Sequence, residues 1–144
     1  MAVTAESCTG GMIASALTAA AGSSDVFDRG FVTYSNQSKH ELLGVDLALI
    51  AAYGAVSEET AIAMAEGALA RSAAQVAMAV TGIAGPGGAS PAKPVGRVHI
   101  ACAIRNAETT HVEESFGPLP RQTIRLLATA SALRLALAQT ASIA

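Results

Sequence analysis

The chain switches between two hydrophobic periods, and each period predicts a different kind of element. Apolar runs, β-branched residues and alternation predict five strands, at residues 2–5, 31–35, 75–80, 95–105 and 109–116. Alternation in the fourth strand places apolar side chains on one face and polar ones, His99 among them, on the other. A short turn at residues 106–108 predicts that the last two strands pair as an antiparallel hairpin.

Apolar residues at helical spacing predict four helices, at residues 12–20, 38–43, 57–74 and from 120 onward. Gly22 and Gly44 follow the first two helices, as helix-ending glycines do. Ser57 caps the third helix and Pro120 opens the last. The resulting order of strands and helices predicts an α/β fold, in which a mixed sheet carries helices on both faces.

Length and composition indicate one packed domain. The chain has 144 residues, of which 51% are hydrophobic and 14% charged, so it is large and apolar enough for a core and is not disordered. Only 3% of the residues are aromatic, and a surface rich in small apolar side chains predicts a homodimer or a higher homo-oligomer. Residues 2–5 start directly as a strand, so we expect a short N-terminal segment to be missing.

Charge and residue usage exclude several classes of function. The net charge of −2, without a run of Lys or Arg, predicts no nucleic-acid partner. No apolar stretch reaches the ~18 residues of a membrane span, so no membrane partner is expected. No signal peptide is recognisable, which predicts a cytoplasmic location. Cys8 and Cys102 fit neither a metal site nor a disulfide framework.

The strongest functional signal is residues 81–88, Thr-Gly-Ile-Ala-Gly-Pro-Gly-Gly, which directly follow the predicted strand 75–80. Open α/β sheets bind ligands at the carboxyl ends of their strands, and glycine lets a backbone approach a ligand closely. Ordering a loop this rich in glycine is costly in entropy unless the loop has a function. The loop therefore predicts an enzyme or a ligand-binding domain.

Three further polar segments are candidates for chemistry, and each also has a structural interpretation. Residues 6–11, Glu-Ser-Cys-Thr-Gly-Gly, turn into a helix and form either an anion site or a simple cap, with Cys8 either reactive or packed. Ser24 lies in a glycine-serine turn, and Lys39 is either functional or a solvated surface lysine. No catalytic or metal-binding pattern connects the three histidines, His40, His99 and His111.

Taken together, these segments resemble one known family along nearly the whole chain. The matching segments are residues 6–11, 22–24, 30–36 with Lys39, 54–57, and 81–88 with 93–96. Long motifs in this order are specific, and they are similar to the CinA C-terminal domain, the nicotinamide mononucleotide deamidase family. The resemblance implies a single domain over residues 1–144, with a three-layer α/β/α fold and a mixed, mostly parallel five-stranded sheet.

The resemblance also implies an activity, the hydrolysis of the carboxamide of nicotinamide mononucleotide to nicotinate mononucleotide and ammonia, without a cofactor or a metal. Ser24 matches the family's nucleophile, Lys39 its proposed base, and Tyr34 the residue that assists the proton transfers. Six residues are expected at the substrate: Ser7, Thr9, Gly10, Thr81, Gly82 and Arg121.

The chemistry of these residue types supports the assignment. A serine hydroxyl is a weak nucleophile at neutral pH, and a neutral lysine activates it without a histidine. Burial must then lower the pKa of Lys39. The chain departs from the family at residues 118–120, Pro-Leu-Pro, so either Arg121 or Arg125 meets the phosphate. Two alternatives stay open, a Ser-Lys amidase acting on another small amide or ester, and a catalytically silent nucleotide-binding or assembly module.

Overall fold

The structure, a computed structural model, describes residues 1–141, so the last three residues of the predicted domain lie outside the described residues. Its five strands are β1 (Ala2–Glu6), β2 (Phe27–Val32), β3 (Val76–Gly82), β4 (Arg97–Ile104) and β5 (Thr110–Ser115). Its five helices are α1 (Met12–Leu17), α2 (Asn36–Leu43), α3 (Leu47–Tyr53), α4 (Glu58–Ala70) and α5 (Arg121–Ala141). A single 3-10 turn, Ser23–Asp25, precedes β2.

The five strands form one mixed sheet in the order β2-β1-β3-β4-β5. The first three of these are mutually parallel, while β4 is antiparallel to both β3 and β5. Four strands therefore point in the same direction. The carboxyl ends of β1, β2 and β3 lie side by side at one end of the sheet. This confirms the expected α/β fold with a mixed, mostly parallel five-stranded sheet, and the predicted hairpin of the last two strands is present.

Local structure differs from the sequence-based expectation in two places that matter for the site. Strand β2 begins four residues earlier than predicted and ends at Val32, because an exposed edge strand tolerates the polar and glycine residues Asp28, Arg29 and Gly30. Tyr34 consequently lies after the strand, at its carboxyl end. Helix α3 was not predicted; the Asp46 side chain accepts from the N–H of Ala48 and caps its start.

Two apolar cores cover the two faces of the sheet. One lies under α2, α3 and α4 and includes Val3, Ala5, Leu43, Met64 and Ala79. The other lies under α1 and α5 and includes Ile13, Met78, Val80, Ile100 and Ile124. The face of β4 that alternation marked as polar is therefore buried as well, since Ala101 and Ala103 let α4 pack closely and His99 is only 6% exposed. No helix within residues 1–141 is long and apolar enough to cross a membrane.

Candidate active site

Lys39 is a buried amine with no anionic partner. It is 2% exposed. Its Nζ donates to the carbonyl oxygen of Thr33 at 2.8 Å and to Ser7 Oγ at 3.3 Å. None of the ion pairs among residues 1–141 involves it. Lysines this deeply buried are usually paired with an acid, so an unpaired one at the carboxyl ends of β1 and β2 indicates a functional site.

Burial holds the pKa of Lys39 below its ordinary value of 10.5, because removing water disfavours the charged ammonium. A negative charge on Cys8 would oppose this shift. Burial also raises the pKa of the Cys8 thiol to about 11, so the thiol is uncharged near neutral pH. The environment of Lys39 therefore shifts its protonation equilibrium toward the neutral amine, which is the form that accepts a proton from a nucleophile.

Helix α2 positions Lys39 through the sequence that surrounds it. The Ser35 hydroxyl accepts from the N–H of Ser38 at 3.0 Å, and the Ser38 hydroxyl accepts from the N–H of Ser35, forming a capping box. Gly44 ends the helix with a positive φ of 72°. The start and end of α2 are thus fixed locally, and Lys39, one turn in, faces the sheet. The position in the first turn also disfavours its positive charge.

The Glu6 carboxylate occupies the start of α1. This fully buried side chain accepts from the N–H groups of Gly11 at 3.1 Å, Ile13 at 3.0 Å and Ala14 at 2.9 Å. The protein's own carboxylate therefore occupies the N–H groups of Gly11, Ile13 and Ala14, which are not available to the anion expected at this helix start. The same contacts fix the turn that presents Ser7 to Lys39.

A cavity of about 260 Å³ opens beside Ser7. It is lined by Ser7, Cys8, Tyr34, Val56, Arg121 and residues 82–88 of the glycine loop, Pro86 excepted. Gly85 has a φ of 74°, and a Cβ there would lie 2.7 Å from Val95 Cγ1, so only glycine fits. The Gly85–Pro86 peptide bond is cis.

Several backbone N–H groups next to Ser7 and in the glycine loop have no hydrogen-bond acceptor within residues 1–141. Within residues 1–141, the N–H groups of Cys8 and Thr9 donate no hydrogen bond to another residue. The same holds in the glycine loop for Ala84, Gly85, Gly87 and Gly88. Unused donors beside a candidate nucleophile are what an oxyanion hole requires.

Arg121 reaches the cavity, and Arg125 does not. Arg121 lines the cavity and donates to the Gly85 carbonyl oxygen and to Tyr34 Oη, both at 2.7 Å. Arg125 instead donates to the carbonyl oxygens of Cys8 and Thr9, both at 3.0 Å, and so supports the turn after β1. Of the two arginines, Arg121 is the one placed to meet a ligand.

The remaining expected substrate residues divide into lining and supporting positions. Gly82 lines the cavity. Thr81 is 1% exposed, and its hydroxyl donates to the Ala55 carbonyl oxygen at 2.7 Å, so it holds the loop that carries Val56. Thr9 is fully buried with no hydrogen-bond partner for its Oγ1 among residues 1–141. Gly10 lies next to the Arg125 guanidinium, and neither Thr9 nor Gly10 lines the cavity.

Ser24 lies at the amino end of β2, whereas Lys39 lies near its carboxyl end. It belongs to the exposed 3-10 turn before β2, whereas Lys39 contacts Thr33, directly after β2. The six residues of β2, at about 3.3 Å each, separate these ends by about 20 Å. The expected pairing of Ser24 with Lys39 is therefore not formed within one chain, and the serine that Lys39 meets is Ser7. The sequence order of the motifs gave no information on this distance.

Several residues of the site region were not expected from the sequence. Lys93 Nζ donates to the carbonyl oxygens of Tyr53 and Val56, both at 2.7 Å, and so fixes the loop above the cavity. The motif containing Lys93 was recognised, but its contact partners lie some forty residues away along the chain.

A histidine pair was also missed. His99 Nδ1 and His111 Nε2 are 3.0 Å apart, with the ring planes inclined by 19°. Glu58 lies 3.6 Å from the other His111 nitrogen and Glu113 lies 3.9 Å from the other His99 nitrogen. This row of side chains joins the start of α4 to the hairpin. No set of three or more His, Cys, Asp or Glu side chains in the described part of the chain could hold a metal ion.

Comparisons with known proteins identify the family of this chain and agree with its fold. A family model described as the CinA C-terminal domain matches residues 1–140. The nicotinamide-nucleotide amidohydrolase PncC of Enterobacter agglomerans is 50% identical over 133 residues, covering 92% of this chain and 80% of that protein. The CinA-like protein of Akkermansia muciniphila is 52% identical over 132 residues, covering 92% of this chain and 32% of that protein. The chain thus spans about a third of the longer CinA-like relatives.

Solved structures of CinA-related proteins also match the fold of this chain. The competence/damage inducible protein CihA from Agrobacterium tumefaciens matches with a TM-score of 0.94 and 55% identity, over 96% of this chain and 84% of that chain. A CinA superfamily protein from Escherichia coli matches with a TM-score of 0.89 and 39% identity, over 94% of this chain and 78% of that chain. By fold, sequence and the family model, the chain belongs to the CinA C-terminal domain family.

Proposed function

We propose that this chain hydrolyses the carboxamide of nicotinamide mononucleotide, releasing ammonia and nicotinate mononucleotide. The observation that carries the proposal is the buried, unpaired Lys39 in contact with Ser7 Oγ at the cavity. The name of the Enterobacter relative, a nicotinamide-nucleotide amidohydrolase, supports the substrate class. The nucleophile in this proposal is Ser7, since Ser24 does not reach Lys39 within the chain.

In the first half of the reaction, neutral Lys39 takes the proton from Ser7 Oγ while the oxygen attacks the carboxamide carbon. The resulting tetrahedral oxyanion collapses as the C–N bond breaks. Protonated Lys39 returns its proton to the departing nitrogen, which leaves as ammonia. The product of this half is an ester between Ser7 and the nicotinate group.

In the second half, water attacks the ester carbon and gives one proton to Lys39. The bond to Ser7 Oγ then breaks, and Lys39 delivers that proton to the serine oxygen. The released acid ionises to the carboxylate of nicotinate mononucleotide. Lys39 and Ser7 return to their starting protonation states, so a single lysine serves both halves.

Backbone N–H groups without acceptors are the candidate donors for the oxyanion in this proposal. The N–H groups of Cys8 and Thr9 follow the nucleophile directly in the chain, and others belong to the glycine loop that lines the cavity. A single such donor is worth about 3 kcal/mol of transition-state stabilisation. Arg121 supplies a guanidinium for the phosphate group of the substrate, since guanidinium groups bind phosphate through paired hydrogen bonds.

The experiment that tests the proposal measures ammonia release from nicotinamide mononucleotide by purified variants. Ser7→Ala and Lys39→Met should each reduce kcat by at least about 100-fold, because each removes a group that acts in the transition state. Ser15→Ala, on the exposed side of α1, is the matched control and should keep wild-type activity. An active Ser7→Ala variant would exclude Ser7 as the nucleophile.

Two further arms of this experiment separate the alternatives. A chelator should leave the rate unchanged, because every proton transfer in the proposed reaction uses Ser7, Lys39 or water. Tight binding of nicotinamide mononucleotide without ammonia release over hours would instead identify a silent binding module. Faster turnover of another small amide in a substrate panel would reassign the substrate.

A further inference from the structure

Two loops that are far apart in the sequence line the candidate cavity. Residues 82–88 belong to the glycine loop, and Val56 belongs to a loop of residues 54–57 that joins α3 to α4, here called the α3–α4 loop. After the glycine loop the chain continues through a return segment, residues 89–96, to β4. The cavity keeps its shape only if the two loops stay in a fixed position relative to each other.

Lys93, in the return segment, joins the two loops. Its Nζ donates to the carbonyl oxygens of Tyr53 and Val56, both at 2.7 Å. Within the described part of the chain, no other hydrogen bond connects residues 83–96 with residues 53–57, and Lys93 takes part in no ion pair. The position of the glycine loop relative to Val56 therefore depends on this one amine.

The α3–α4 loop leaves room for the amine at one position. Gly54 lies between the two accepting residues and has a φ of 87°. A Cβ there would lie 2.6 Å from Lys93 Nζ, so a larger residue would displace the amine. Hydrogen bonds from a charged donor are about twice as strong as those between neutral groups, and Lys93 makes two of them.

Each loop is also held locally, without Lys93. The hydroxyl of Thr81 donates to the Ala55 carbonyl oxygen at 2.7 Å, and that of Thr60 donates to the Gly54 carbonyl oxygen at 2.8 Å. In the return segment, the backbone groups of residues 90 and 93 exchange hydrogen bonds of 2.9 and 3.0 Å. Removing the Lys93 side chain therefore separates two folded loops and does not unfold either of them.

We propose that Lys93 is a positioning residue that holds the glycine loop against the α3–α4 loop and thereby sets the affinity of the cavity for its nucleotide. The proposal rests on the proposed function, because it concerns the cavity assigned there to the substrate. Lys93 does not line that cavity, and its Nζ contacts only backbone carbonyl oxygens, so it acts through the loops. Without it, only a fraction of the molecules hold the closed arrangement, and the apparent dissociation constant rises by the reciprocal of that fraction.

The reacting groups are held by other parts of the fold. Ser7 follows β1, and Lys39 lies in α2, where its Nζ donates to Thr33 and to Ser7. Neither contact involves Lys93. Because bound nucleotide selects the closed arrangement, the loss of Lys93 should raise KM and leave kcat unchanged, as the loss of ground-state binding does.

Chemical rescue of a truncated variant tests this role. Lys93→Ala should raise KM for nicotinamide mononucleotide about tenfold and keep kcat within about twofold of wild type. Propylammonium contains the atoms from Cγ to Nζ that this substitution removes, and it should lower the raised KM at least about threefold. The product measured is nicotinate mononucleotide, so the added amine does not disturb the assay.

Three controls separate a restored contact from other effects. Lys93→Met fills the same space without a donor, so its KM should be raised equally and should not respond to propylammonium. Tetramethylammonium has no N–H group and should leave the KM of Lys93→Ala unchanged. Arg134→Met removes a positive charge from an exposed position on α5 and should keep the wild-type KM.

Hydrogen exchange gives a measurement that does not depend on turnover. Without nucleotide, peptides from residues 83–96 should exchange faster in Lys93→Ala than in wild type, and propylammonium should slow them again. Peptides from α5 should exchange equally in both proteins.

The outcomes distinguish the role of Lys93 from the proposed function. A wild-type KM in Lys93→Ala, a loss confined to kcat, or a raised KM that propylammonium does not lower would each overturn the role of Lys93. Unfolding of both Lys93 variants would also overturn it, because Lys93 would then support the whole fold. A wild-type protein that releases no ammonia would instead overturn the proposed function, and hydrogen exchange would still decide whether Lys93 holds the two loops together.

Discussion

Lys39 Nζ lies 3.3 Å from Ser7 Oγ, and no carboxylate within residues 1–141 forms an ion pair with that amine. The two residues come from different elements, Ser7 from the turn after β1 and Lys39 from the first turn of α2. Their contact depends on the parallel pairing of β1 with β2, which places the carboxyl ends of the two strands side by side.

Lys39 should make the stability of the protein depend on pH in the alkaline range. Its pKa is lowered in the folded state, so the unfolded chain binds more protons and stability rises with pH from the folded pKa up to about 10.5. Lys39→Met removes the charge and should be more stable than wild type at pH 7, with the difference shrinking toward pH 10.5. Urea unfolding at pH 7 and pH 10 measures this. An equal difference at both values would show that Lys39 keeps its ordinary pKa.

The same lowered pKa sets the pH profile of catalysis. Because the neutral amine is the active form, kcat should rise with pH and level off above a pKa that lies below 10.5. Measuring kcat for ammonia release between pH 5 and pH 10 gives that value directly. A rate that falls across this range would contradict a base role for Lys39.

Glu6 should contribute to stability through the cap of α1. Glu6→Gln keeps the shape of the side chain but weakens three hydrogen bonds to N–H groups and should lower the free energy of unfolding by about 1–3 kcal/mol. Glu41→Gln, an exposed residue on α2, serves as the control and should change stability by less than about 0.5 kcal/mol. Urea unfolding of both variants at neutral pH checks the difference.

Arg121 and Arg125 should have separable roles. Arg121→Ala should raise KM for nicotinamide mononucleotide by about 10–100-fold, since a charge-assisted contact to phosphate is worth about 1.5–3 kcal/mol. The effect should disappear with nicotinamide riboside, which lacks the phosphate. Arg125→Ala should instead lower the melting temperature, because its guanidinium supports the carbonyl groups of Cys8 and Thr9. Equal effects of Arg121→Ala on both substrates would place the phosphate elsewhere.

His99 should make the protein less stable in mild acid. Burial lowers the pKa of His99 from its ordinary 6.5, against the opposing charge of Glu113 and together with His111, Arg97 and Lys93. Stability from His99 is therefore fully present above pH 6.5 and is lost as the pH falls toward the lowered value. His99→Asn should flatten the stability profile between pH 5 and pH 6.5, as measured by urea unfolding. His40→Asn is the control, and an unchanged slope in His99→Asn would show that His99 does not titrate there.

Much of the candidate site could be predicted from the sequence because it depends on short motifs. The serine cap of α2, the glycine loop after β3 and the residues Ser7, Tyr34 and Lys39 are each visible as local patterns. Their partners were not visible. Contacts such as Thr81 with Ala55 and Arg121 with Tyr34 join residues 26 and 87 positions apart, and only the packed fold decides them.

The sequence by itself determined the family, the mixed sheet between two helical layers and the segments that carry chemistry, because these follow from hydrophobic period, helix caps and ordered motifs. The tertiary structure decided which residues meet. Parallel pairing of β1 and β2 places Ser7, which follows β1, beside Lys39. Ser24 precedes β2 and therefore lies at the other end of that strand, away from Lys39. It also decided that Glu6 fills the helix start that the motif had suggested for an anion.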